Sequence, residues 1–172
     1  MSYYIGVDPG LSGAIGILDS KGSFVAVHDM PLIETETGIT KIVNLKRVKE
    51  TKREVDGATL RDILLPYKKS KAVVEQVHSM PEQGVVSVFN FGYSYGVAVG
   101  VIQSMGFNLL KVPPNKWKTR LGLDSDKNKS LDLARSLFPE ASEYIKLRKN
   151  DGRAEALLLA VYLKGLKKGL KK

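Results

Sequence analysis

Residues 3–30 read YYIGVDPGLSGAIGILDSKGSFVAVHDM, and this stretch decides the fold. Residues 3–8 form a short apolar run that ends in Asp8, with the turn formers Pro9 and Gly10 behind it. LSGAIGILD (11–19) and SFVAVHDM (23–30) are strand-forming runs separated by SKG. That tripeptide suits a hairpin turn, with Gly22 in the left-handed conformation that a side chain resists. Three antiparallel strands at the N-terminus are the natural reading.

Outward from there, residues 31–55 lose clean periodicity. From Lys41 to Glu54 the segment carries six basic and two acidic residues, a net of +4. It reads as a long basic loop excursion from the sheet. Asp56 is placed to cap a helix in which Leu60, Ile63 and Leu64 share one face. KAVVEQV (71–77) is a nearly all-apolar strand interrupted by Glu75 and Gln76, suited to a central position flanked by helices. Residues 83–105 predict a helix despite Gly92, Gly96 and Gly100, which recur every fourth residue as a bare stripe. The stripe faces either the sheet or a second subunit. Phe89 and Tyr93, four apart, read as helix core.

GFNLLKV (106–112) is the next strand, and PPNKWKTRLGLDSDKNKS reads as a basic loop. A helix from near Asp126 carries Leu131, Ala134, Leu137 and Phe138 before Pro139 stops it. The last helix runs from about Asn150 to Leu166, with a lysine-rich tail from about residue 164. Three antiparallel strands followed by alternating helices and strands define an α/β fold. Its mixed five-stranded sheet, completed by parallel strands, has helices on both faces.

The chain has 172 residues, enough for a single domain with a real core. It contains no cysteine, which excludes a disulfide scaffold, a thiol nucleophile and a cysteine zinc site. The net charge of +9 favours a polyanionic partner. No stretch reads as the 18 or more apolar residues needed to span a bilayer. MSYYIGVDPG has neither a basic leader nor a cleavable apolar segment, so the expectation is a soluble intracellular protein without a membrane partner.

Four carboxylates stand out. Asp8 ends the first strand, Glu75 interrupts an apolar one, and Asp151 and Glu155 lie four apart on one face of the last helix. A carboxylate within a core strand costs several kcal/mol unless paired or metal-bound. Each has an ordinary explanation: a turn cap for Asp8, a buried lysine partner for Glu75, helix-start and surface acids for the other two. If the first and fourth strands are neighbours and the last helix crosses them, all four converge. Such a set calls for divalent cations with oxygen ligands, Mg²⁺ or Mn²⁺.

GVDPGLSGAIG, VVEQVHSMPEQGVVSVFNFGYSYG, VPPNKWKTRLGL followed by DKNKS, and NDGRAEALLLA together resemble the RuvC-like Holliday junction resolvases, phage and organelle branch. The resemblance covers nearly the whole chain apart from 31–55. It implies an RNase H-like fold, a homodimer, and Mg²⁺-dependent cutting of branched DNA with two ions per active site. It places the family's catalytic, metal-binding acids on Asp8, Glu75, Asp151 and Glu155. The last pair are four apart with glutamate at the end, where the bacterial pattern often has three and an aspartate. Three places beyond the strand glutamate, where bacterial members often carry an aromatic wedge, this chain has His78.

DNA-contacting residues implied or suggested are Lys116, Lys118, Arg120 and Lys127 in the basic loop, Gln76 and His78 beyond the strand glutamate, and Arg47 and Lys49 in the excursion. Phe91 is a stacking candidate. Trp117, between two lysines, either anchors its loop in the core or stacks on nucleic acid. The expectation is a structure-selective endodeoxyribonuclease that resolves four-way junctions and leaves 5′ phosphates. Its rivals are a general RNase H-fold nuclease on flaps, forks or hybrids, and a non-catalytic junction-binding scaffold.

Overall fold

The computed structural model describes residues 2–68, 70–76, 82 and 84–166. Strands β1 (Tyr4–Asp8), β2 (Ala14–Leu18) and β3 (Phe24–Asp29) form the antiparallel meander, turning at Gly22 with φ +91°. β4 (Leu32–Val43) and β5 (Lys46–Val55) follow, then helix α1 (Gly57–Leu64), β6 (Lys71–Glu75) and α2 (Val85–Ser104). β7 (Asn108–Val112), α3 (Pro114–Arg120), α4 (Lys127–Leu137) and α5 (Asp151–Leu166) complete the chain. The main sheet has the order β3-β2-β1-β6-β7, with β1, β6 and β7 parallel. This is the mixed five-stranded sheet expected from the pattern.

Alternation along β1 sorts the two faces. Ile5 and Val7 pack with Ile15, Ile17 and Val74 under α1 and α2, through Leu60, Leu64, Ala98 and Ile102. Tyr4 and Val73 face the other way, onto α4 and α5. On that side Gly6 and Gly16 face each other as one rung of the β1–β2 ladder. A methyl at Gly6 would run into the Ala156 carbonyl, and one at Gly16 would lie 2.6 Å from Leu157 N. The missing side chains let α5 lie directly on the sheet, which sets where its acids stand.

Several expectations are corrected. Residues 31–55 are not a loop: β4 and β5 form a separate two-stranded antiparallel ribbon. Neither face of it is buried beyond its root, so no alternation betrays the strands. Part of the basic loop after β7 is the short helix α3, started by Pro114, a residue suited to the first helical turn. Phe89 and Tyr93 are not core; they are 67% and 45% exposed. A Cβ at Gly92, Gly96 or Gly100 would meet nothing within 4 Å, so the stripe faces away from its own sheet.

α2 is also long and apolar enough, by length and composition, to cross a membrane. Its interspersed glycines and serines hide that in a reading that looks for unbroken apolar residues. In the fold its Ser94, Ala98, Val99 and Ile102 are buried. Residues 167–172 of the basic tail lie outside the described residues.

Candidate active site

Asp8 and Glu75 close adjacent parallel strands, because Val7 pairs with Val74 one rung earlier. Both point to the α5 side. The Asp8 Oδ1 accepts a 3.2 Å bond from Gly10 N, so it does cap its turn. Burial, followed by the charge of Glu75, pushes its pKa up to about 7; Glu155 and Asp151 add smaller repulsions. Burial also raises Glu75, against the indole of Trp117, whose Nε1 donates to Glu75 Oε1 at 2.9 Å.

α5 brings the other two acids. Its second residue, Gly152, lies so close to β1 that a Cβ there would stand 3.3 Å from Asp8 Oδ2. Glu155 is buried and accepts from Lys118 Nζ at 2.7 Å and from Ser130 Oγ at 3.3 Å. Asp151, at the start of α5, is paired with Lys127. Arg153 grips Asp29 with two 2.6 Å bonds, fastening α5 to the end of β3.

The donor chemistry fits a hard divalent cation: carboxylate oxygens only, in a buried cluster whose mutual repulsion such an ion would relieve. The chain's own cations, Lys118 and Lys127, stand against two of the four acids. Among the described residues no group of three or more His, Cys, Asp or Glu sits at metal-holding spacing.

The remaining candidates are spread more widely. Lys118 turns into the cluster, whereas Lys116 and Arg120 line a groove beside Lys111 and Tyr162. Gln76 is exposed just past Glu75, its N–H bonded to Val112 O at 2.7 Å. Phe91 is 39% exposed and lies over the Asp8–Gly10 turn, its ring edge 3.9 Å from where a Gly10 Cβ would stand. Arg47 and Lys49 are on the ribbon, and Lys49 is engaged by Glu36. His78 lies outside the described residues.

Reasoning from sequence missed Ser130 and the part that Trp117 plays at Glu75. A strand glutamate needs a donor, and that requirement was the available signal. It does not say which of many donors the fold will deliver.

The five-stranded sheet with helices on both faces and carboxylates at the ends of its interior strands defines an RNase H-like domain. No protein-family model matches the chain. Over 120 residues, 66% of the chain, it is 37% identical to the chloroplastic Holliday junction resolvase MOC1 of Chlamydomonas reinhardtii. The chain spans 14% of that protein's length. Among solved structures it is similar to Thermus thermophilus RuvC in complex with a Holliday junction substrate, at a TM-score of 0.55 and 14% identity. That match covers 98% of this chain and 97% of the other. A second Thermus thermophilus RuvC structure matches at 0.53, with the same identity and coverage. In sequence the chain is thus similar to an organelle-type Holliday junction resolvase, and in fold to RuvC.

Proposed function

We propose that this protein is a structure-selective endonuclease that resolves four-way DNA junctions by hydrolysis, leaving 5′-phosphate ends. The observation that carries the reading is the gathering of Asp8, Glu75, Asp151 and Glu155 at one end of the sheet with two lysines among them. Water adds to phosphorus, the bond to the 3′ oxygen breaks, and the proton ends on that oxygen. Magnesium, two ions per site with Mn²⁺ as a substitute, would be held by these four acids and would supply water activation and charge neutralisation at the leaving oxygen.

The chain's own residues do the rest. Trp117 holds the Glu75 carboxylate in place through its indole N–H. Lys118 and Lys127, released from Glu155 and Asp151, are within reach of the phosphate that those acids face. Lys116 and Arg120 extend the positive track along α3. Phe91, over the Asp8 turn, is placed to stack where the strands diverge.

Two cuts need two sites, which supports a homodimer. Its contact is the open face of α2, where Val85, Val86 and Phe89 are exposed beside the glycine stripe. Such a protein works in a soluble, intracellular setting, the cytoplasm if it is bacterial or phage-encoded.

The test is cleavage of labelled mobile and fixed four-way junctions beside flap and linear controls, with Mg²⁺ and with EDTA. Paired, metal-dependent cuts in junctions alone are expected. Equal cutting of flaps and linear duplex would make it a general nuclease, and tight junction binding without cutting would make it a scaffold.

A further inference from the structure

We propose that the β4–β5 ribbon is an arm that lies in the major groove of a duplex, about one helical turn from the acid cluster. Lys46 and Arg47 there face the flanking phosphates, with Leu45 against the base edges. This rests on the reading of branched DNA as substrate and adds where one branch is held.

The ribbon stands apart from the main sheet as its own two strands, and a two-stranded ribbon has the width that the major groove admits. Its root is fixed by the ladder Asp8–Ala14–Asp29, so it leaves the sheet at the end that carries the acids. From that root, some nine or ten rungs at about 3.4 Å each give a reach of about 30 Å. A turn of duplex is about 34 Å.

Charge is distributed unevenly along it. In the stem, Lys49 is paired with Glu36 at 2.8 Å, Lys52 with Glu54 at 2.6 Å, and Lys41 with Glu50. Lys46 and Arg47, at the tip, have no ion pair with any described residue. Of the three ribbon cations without an ion pair to a described residue, two stand at the far end; the third, Arg53, is opposite Glu34 near the root.

The last rungs pair Val43 with Lys46, Ile42 with Arg47 and Val48 with Lys41, each an apolar residue opposite a basic one. Both faces thus carry both kinds, a pattern that suits neither burial on a core nor plain water. Ile42 is 73% exposed and Val43 51%.

The turn itself is set for display. Asn44 and Leu45 have φ of 49° and 62°, the conformation in which the second position normally takes glycine. A leucine there holds a backbone conformation that L side chains resist, and it stands at the apex, 98% exposed. A second copy of this ribbon would bring the same positive tip, so charge favours a polyanion over self-association.

The experiment uses the full chain and fixed four-way junctions with arms of about 20 or about 6 base pairs. Wild type should bind the long-armed junction about tenfold more tightly. Leu45→Gly, and separately Lys46→Ala with Arg47→Ala, should abolish that difference; both leave the core untouched. The double variant should also reduce the log K against log salt slope by roughly 1.8, two phosphate contacts.

Junctions bound and cut with no dependence on arm length or tip sequence would overturn the arm alone. Failure of wild type to bind any junction would remove the substrate reading as well. Tip variants that lose binding to phosphatidylserine vesicles, or lose self-association, while keeping the arm-length dependence would assign the tip to a membrane or to a second copy, and also overturn it.

Discussion

Asp8 and Trp117 show how single residues set the chemistry of this cluster. Asp8→Asn and Glu75→Gln should each lower junction cleavage by at least about 100-fold while leaving the junction Kd within a few-fold. The lost groups serve the transition state more than the encounter. Single-turnover rates beside binding isotherms check this. Asp8 also has a stability consequence in EDTA. Its pKa is higher folded than unfolded, about 7 against 3.8. The unfolded state therefore ionises first, and stability falls as pH rises from about 4 to about 7. The loss is at most on the order of 4 kcal/mol. Asp8→Asn removes it, so the variant should unfold at higher urea than wild type at pH 8 and close to it at pH 4. Trp117→Phe leaves a ring in the core but takes the donor from Glu75. The carboxylate, already raised, should rise further, moving the acid limb of the kcat–pH profile upward with little change in Kd. A merely structural role for Trp117 would lower stability and leave that limb where it was.

At the scale of elements, glycines of the same kind have opposite meanings. Gly16→Ala forces a methyl against the backbone of α5 and should destabilise by about 3 kcal/mol or more in urea unfolding. Gly96→Ala meets open space and should stabilise α2 by about 1 kcal/mol in the monomer. Sequence shows both as glycines among apolar residues; only the position of α5 tells them apart. What was legible follows the same logic. The turn at Gly22, the Asp56 cap that accepts from Ala58 N and Thr59 N, and the apolar β6 each carry a local signal that the fold respects. The ribbon carries none, because its middle rungs are polar on both faces and its last three pair an apolar with a basic residue. α3 is seven residues long, too short for a helical period to declare itself. For the cluster, the four acids were readable as placements against pattern. Their partners Lys118, Ser130 and Trp117 depend on how α3 and α4 pack, which no spacing encodes.

At the scale of the whole molecule, the open face of α2 and the proposed pair of cuts make one prediction. Sedimentation should give a dimer at micromolar concentration, and Gly96→Leu should shift it toward monomer and reduce paired cutting more than single nicks. A monomeric wild type that still cuts both strands symmetrically would count against an α2 interface. The seating of α5 on the Gly6–Gly16 rung bears on time as well as space. Glu155 and Asp8 are nearly the length of the chain apart, and Lys164 reaches back to the Lys21 carbonyl across 143 residues. On a ribosome adding about 5–20 residues per second, the first aspartate emerges roughly 7–30 s before the last glutamate. Through that interval the nascent sheet has a bare face and no complete set of acids. The acid cluster therefore comes into being only when α5 arrives on the sheet.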